Sequence, residues 1–227
     1  MKIVRNDKKI ERSRKIARYT LWGNIILAVV LVYILWQAPD QFLIFIGGTF
    51  AMLILSQISI YYSSRFGRSP RPDELLTNAL KGLSDLYTLY HYMTPAPHVL
   101  VGPTGVWVLL PYAQPGPITY NPEKKRWKQP STGLLSRMFG EGLGRPEVDA
   151  RYAAEDIQRY LAKKLGAENV PPVQGVLIFT AKNVVVQAEG STVPAMPLEK
   201  AKDFFRRKPK EALSVETLQK IEASLSS

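Results

Sequence analysis

Residues 19–62 read YTLWGNIILAVVLVYILWQAPDQFLIFIGGTFAMLILSQISIYY, two apolar runs separated by the polar break Gln37-Ala38-Pro39-Asp40-Gln41. No Asp, Glu, Lys, Arg or His falls between Leu21 and Trp36, or between Phe42 and Ile60. A helix of about 20 residues rises roughly 30 Å, the thickness of a bilayer's hydrocarbon. The stretch predicts a hairpin of two transmembrane helices, 19–38 and 42–62.

The flanks point the same way. Lys2, Arg5, Lys8, Lys9, Arg12, Arg14, Lys15 and Arg18 precede the first run, Arg65, Arg68 and Arg71 follow the second, and the connection carries only Asp40. Lys and Arg stay on the cytoplasmic side during insertion, so both termini are expected in the cytoplasm of a multi-pass protein at the cell membrane. Trp22, Tyr33, Trp36, Tyr61 and Tyr62 stand near the two interfaces, where amphipathic rings settle. A cleaved signal peptide needs small residues at its cleavage site, which Leu35-Trp36-Gln37-Ala38 does not offer. Two helices of a soluble core would show a polar stripe, and these show almost none. Within the second run, Gly47 and Ala51 are four apart and are expected to let the two helices approach closely.

The chain of 227 residues thus divides into a basic cytoplasmic segment 1–18, helices 19–38 and 42–62, a linker 63–72 and a cytoplasmic domain 73–227. The first segment, with only Ile3, Ile10 and Ile16 as large aliphatics, is expected to lie along the headgroups. The net charge of +11 belongs mostly to the anchor. Residues 1–72 hold 11 Lys/Arg against Asp7, Glu11 and Asp40, whereas 73–227 hold 19 against 16. The high pI is therefore mainly topology and attraction to an anionic leaflet. With no cysteine, disulfides, thiolate catalysis and Cys-based metal sites are excluded. Two histidines, His91 and His98, are too few for a His-rich metal site, so neither cofactor nor metal is expected. The absence of ionisable groups within the apolar runs disfavours a transporter or channel.

In the domain, Leu75, Leu76, Ala79, Leu80 and Leu83 recur at helical spacing behind Asp73 and Glu74. Extended runs follow at 87–90, 98–101 and 106–110, and Gly102-Pro103-Thr104-Gly105 turns between the last two. A further hairpin is expected from 117–120 and 126–128. Residues 131–148 read as a glycine-rich loop, and Ala153, Ala154, Ile157, Tyr160, Leu161 and Leu165 as a helix. The continuous run Val173 to Thr180 has the composition of a strand buried on both faces, and 184–186 reads as another strand. Closing helices are expected over 197–208 and 214–225. The predicted fold class is α/β, a mixed sheet covered by helices, behind a two-helix hairpin.

The run His98-Val-Leu-Val-Gly-Pro-Thr-Gly-Val-Trp-Val-Leu-Leu-Pro-Tyr-Ala-Gln-Pro-Gly116 resembles the nuclease-related domain, NERD, a branch of the restriction-endonuclease-like fold. Asp73-Glu74 resembles the family's helix-opening Gly-Glu, and Val176 to Thr180 its later strand ending in Phe-Thr. The resemblance implies a divalent-metal site built from an Asp, a Glu and a Lys. The Asp position falls at or beside His98, the Glu position on Leu110 and the Lys position on Tyr112, while Glu74 keeps its carboxylate. A leucine offers a hard cation no ligand, so the implied site is expected to be degenerate and without catalytic residues. Glu74, His98, Tyr112 and Gln114 are weighed as replacements meeting on one face of the sheet.

Lys124-Lys125-Arg126-Trp127-Lys128 joins positive charge to an aromatic ring, a combination suited to nucleic acid or to anionic lipid headgroups. Arg206-Arg207-Lys208 with Lys210 offers a second such contact. The expected function is a membrane-anchored binding or scaffolding module. Its rivals are a tethered metal-dependent nuclease using displaced carboxylates and a structural subunit with an unidentified protein partner.

Overall fold

The computed structural model describes residues 1–38, 40–129, 142–207 and 213–226. They form two compact units, Asn6–Arg71 and the combination of Met1–Arg5 with Pro72–Ser227.

The first unit is a pair of long apolar helices, α1 (Asp7–Gln37) and α2 (Phe42–Tyr62). Asn6 caps α1 by accepting the Lys9 N–H at 2.9 Å, so the helix starts twelve residues before the apolar run and carries the basic segment with it. Residues 7–18, expected as a partly helical stretch along the headgroups, are thus the first turns of α1 itself. The polar break between the helices contains Pro39, which lies outside the described residues. The helices meet through Gly48, where a methyl group would collide with Leu31, and through Asn24, whose amide oxygen accepts the Ser56 hydroxyl at 2.8 Å while its NH2 donates to the Met52 carbonyl at 3.2 Å. Gly47, expected at this seam, instead faces open space. A helix places residues i and i+1 about 100° apart, so when Gly48 faces α1 its neighbour cannot. Beyond α2 the chain continues in a π-helical turn, Ser63–Gly67, within the stretch read as a plain linker.

In the second unit, a six-stranded sheet has the order β1-β2-β3-β4-β7-β9. Its strands are β1 (Lys2–Arg5), β2 (Thr88–His91), β3 (His98–Gly102), β4 (Gly105–Tyr112), β7 (Val173–Phe179) and β9 (Ala195–Pro197). β2, β3 and β4 are antiparallel in sequence, while β1 joins β2, β7 joins β4 and β9 joins β7 in parallel. The sheet is mixed, as the pattern of the sequence implies. Placing Lys2–Arg5 in it departs from the reading that assigned those residues to a headgroup segment.

Helices cover both faces. On one, α3 (Pro72–Leu80) and α5 (Ala201–Arg207) bring Leu76, Leu80, Ala201 and Phe205 onto Leu89, Leu100, Trp107, Leu109, Val176 and Ile178. On the other, α4 (Pro146–Leu165) and α6 (Val215–Ser226) bring Ile157, Leu161, Leu218, Ile221 and Leu225 onto Tyr90, Val99, Val101, Val106 and Val108. Successive residues of each strand supply opposite cores, the two-residue alternation of a pleated strand. α4 lies close to β7, because an added Cβ at Gly175 would stand 2.8 Å from Ala150 Cβ.

A smaller sheet, β6-β5-β8, consists of β6 (Arg126–Lys128), β5 (Pro117–Asn121) and β8 (Val185–Gln187). It packs Ile118 and Val184 with Leu177 and Phe179. Of the expected loop 131–148, residues 130–141 lie outside the described ones, and α4 begins already at Pro146.

Candidate functional site

The strongest concentration of polar groups in the domain's interior lies where β2 ends and β3 begins, against α3. His91 and His98 are register partners across the antiparallel pair, so both side chains leave the sheet on the α3 side. Their Nδ1 atoms are 2.8 Å apart and their rings meet edge to face, with 5.0 Å between centroids. One ring must hold the shared proton and the other accept it, which requires opposite tautomers. His91 Nε2 is 2.9 Å from Thr77 Oγ1 on α3. One turn earlier Asp73 is buried, and its Oδ2 lies 3.9 Å from the Arg5 guanidinium at the end of β1.

Burial decides the charge of the pair. It holds His91 down to about 4; the Asp73 carboxylate opposes this and Arg5 reinforces it. Burial likewise pushes His98 well below the ordinary histidine range, helped by its neighbour His91. Two neutral, enclosed imidazoles form a structural polar pair and offer a substrate no accessible base.

The other positions implied by the family resemblance lie elsewhere. Val108, Leu110 and Tyr112 alternate onto the α4 side of β4, opposite His98, because His98 shares its face with Leu100 and Leu100 pairs with Trp107. Tyr112 donates its hydroxyl to Asp149 Oδ2 on α4 at 3.0 Å. Glu74 stands on α3, and Gln114 Nε2 reaches the Gly142 carbonyl at 3.4 Å. Glu74, His98, Tyr112 and Gln114 therefore do not converge. The two-residue period of the sheet puts His98 and Tyr112 on opposite faces, because an even offset from His98 along one strand does not carry across a hairpin. Among the described residues, no group of three or more His, Asp or Glu side chains is spaced to hold a metal ion.

Sequence reading missed Glu147, in the first turn of α4. It accepts from Tyr120 Oη at 3.1 Å, Ser191 Oγ at 2.9 Å and the Thr192 N–H at 3.4 Å, tying the small sheet and the 191–192 turn to the helix. Burial first, then Glu147, raises the Tyr120 phenol above its usual value. An acidic residue directly behind Pro146 is a helix-start signal that could have marked it.

In the basic stretch, Lys124 donates its backbone N–H to Asn121 Oδ1 at 2.8 Å, and Lys125 takes φ +46° in the same turn. Lys124, Lys125, Arg126 and Lys128 are exposed, but Trp127 turns inward, 5.2 Å from Tyr120 and 6.0 Å from Phe179 between ring centroids. The expected platform for a base is thus packed against the protein, which leaves the four cations. A cavity of about 480 Å³ adjoins them, lined by Lys125, Arg126, Arg145 and Glu147 among others. Of the second basic cluster, Arg206 donates to the Gly82 carbonyl at 2.9 Å, and Lys208 and Lys210 lie outside the described residues.

Compared with family models, with curated proteins and with solved structures, the chain finds no match in any of the three.

Proposed function

We propose that this protein is a two-pass membrane protein whose NERD-like α/β domain, held at the cytoplasmic face, is a binding or scaffolding module that does not cleave nucleic acid. The observation that carries the anchor is the outward apolar surface of the hairpin. Trp36 is 78 % exposed and Leu43 82 %, with Leu21, Ile26, Val29, Val32, Phe50 and Ile54 also exposed, an arrangement that water penalises and lipid accommodates. Pairing of β1 with β2 supports an even number of crossings, since the residues before α1 and those after α2 then build one sheet.

The loss of catalysis is supported by the side chains at the implied metal positions. Leu110 has no donor, the Tyr112 hydroxyl is bonded to Asp149, and His98 is enclosed on the opposite face. The test is to incubate the full-length protein in detergent with DNA and Mg²⁺ or Mn²⁺. No cleavage above background is expected. Cleavage that disappears in Asp149→Asn or Asp73→Asn would overturn the reading in favour of a nuclease using displaced carboxylates.

A further inference from the structure

The hairpin is electrically lopsided. At one end stands Asp40; at the other, within 6–18 and 63–71, nine Lys/Arg face Asp7 and Glu11. The structure gives this imbalance a fixed form. α1 is one continuous helix of 31 residues, about 46 Å long, which exceeds the bilayer's hydrocarbon by roughly 16 Å. The excess is its first three turns. There Ile10, Ser13 and Ala17 form a buried stripe, and an added Cβ at Gly67, in the π-helical turn, would lie 3.9 Å from the Ala17 methyl. With that stripe turned inward, Lys8, Lys9, Arg12, Arg14, Lys15 and Arg18 are all exposed around the helix. On the other strut, the Arg65 guanidinium lies 4.1 Å from the Tyr61 ring centroid and donates to the Tyr61 carbonyl at 3.3 Å, which holds a cation at the level of the tyrosine pair Tyr61–Tyr62.

We propose that these residues form a collar that binds the headgroups of anionic phospholipids in the adjoining leaflet. The inference rests on the membrane reading and names the lipid class it selects. Arg18, Lys15 and Arg14 lie within about 8 Å of Tyr19 along the helix, which sets their height at the phosphate level without any further folding step, while Arg12, Lys9 and Lys8 extend the positive field outward from it. Nucleic acid suits the segment less well, because residues 7–18 contain no aromatic ring on which a base could stack.

The experiment reconstitutes the full-length protein in phosphatidylcholine and compares spin-labelled phosphatidylglycerol with spin-labelled phosphatidylcholine by electron paramagnetic resonance. The expected result is a motionally restricted component for both lipids and a several-fold preference for the anionic one. Raising the salt, or replacing Arg14, Lys15 and Arg18 with Gln, removes the preference and keeps the restricted component of the neutral lipid. Equal association of the two lipids overturns the collar and leaves the membrane reading standing. No restricted component with either lipid overturns both. An oligonucleotide that stays bound to the collar in excess phosphatidylglycerol vesicles also overturns it.

Discussion

The Arg5 guanidinium and the Asp73 carboxylate approach to 3.9 Å, and these two residues flank both points at which the chain passes between the sheet domain and the hairpin. Arg5 is the last residue of β1, next to Asn6, and Asp73 lies in the first turn of α3, two residues after Arg71. The two passages are thereby joined by one ion pair with a buried carboxylate.

Replacing Asp73 with Ala is expected to lower the domain's stability by about 2 kcal/mol, since it removes an enclosed acceptor and leaves its donors unmatched. Arg5→Ala is expected to cost less, because its side chain is 41 % exposed and water screens the charge. Thermal unfolding of the two full-length variants, followed by near-ultraviolet circular dichroism, checks the order. Equal losses would show that the ion pair, and not the enclosure of Asp73, dominates.

The histidine pair makes a prediction about pH. His91 titrates near 4 in the folded protein and near 6.5 when unfolded, so between these values the unfolded chain binds the proton more readily. The contribution is complete above pH 6.5 and is lost as pH falls towards 4, about 3 kcal/mol in all for His91, with His98 acting in the same direction. Urea midpoints measured across this window should fall steadily, and the double variant His91→Leu/His98→Leu should flatten the slope.

Gly175→Val should be among the most damaging single changes in the sheet. The new side chain meets Ala150 Cβ at 2.8 Å and the Ala150 carbonyl oxygen at 2.9 Å, both on α4, so the helix must lift. Overpacking of this kind costs about 1–3 kcal/mol. Faster hydrogen exchange along β7 and α4, with β1–β3 less affected, would locate the damage.

Within the hairpin, Asn24→Leu removes the bond to Ser56 and should weaken helix pairing by about 1 kcal/mol. Gly48→Leu should do more harm, because it collides with Leu31, while Gly47→Leu should be nearly neutral. Compactness of the isolated hairpin in detergent, read from gel mobility, separates the three.

Much of the architecture was legible because it is carried by long, uniform patterns. Composition alone outlines α2 and the part of α1 from Tyr19 onward, and the unbroken apolar run of β7 reflects a strand whose Val176, Leu177, Ile178 and Phe179 are all buried. What was missed is short or depends on distant partners. β1 has four residues, two of them basic, and gains its identity only from Thr88–His91. β9 has three and ends at Pro197, a residue tolerated at the sheet's margin because it has no N–H to offer the ladder. The histidine pair depends on the register of one hairpin, and the separation of His98 from Leu110 on the parity of another. Neither register is written in any local pattern. Glu147 looks like any acidic residue at a helix start until the 191–192 turn arrives beside it.

The pairing of Lys2 with Thr88 also constrains the order of events during synthesis. β1 leaves the ribosome before its partner, which follows only after both apolar helices have been made. If the hairpin enters a membrane as proposed, its insertion can precede completion of the sheet, and Lys2–Arg5 must then wait, uncommitted, on the side where the rest of the polypeptide will emerge. Under that proposal, a translocation error that carried them across would deprive the nascent sheet of its margin, and correct insertion would be a condition for correct folding.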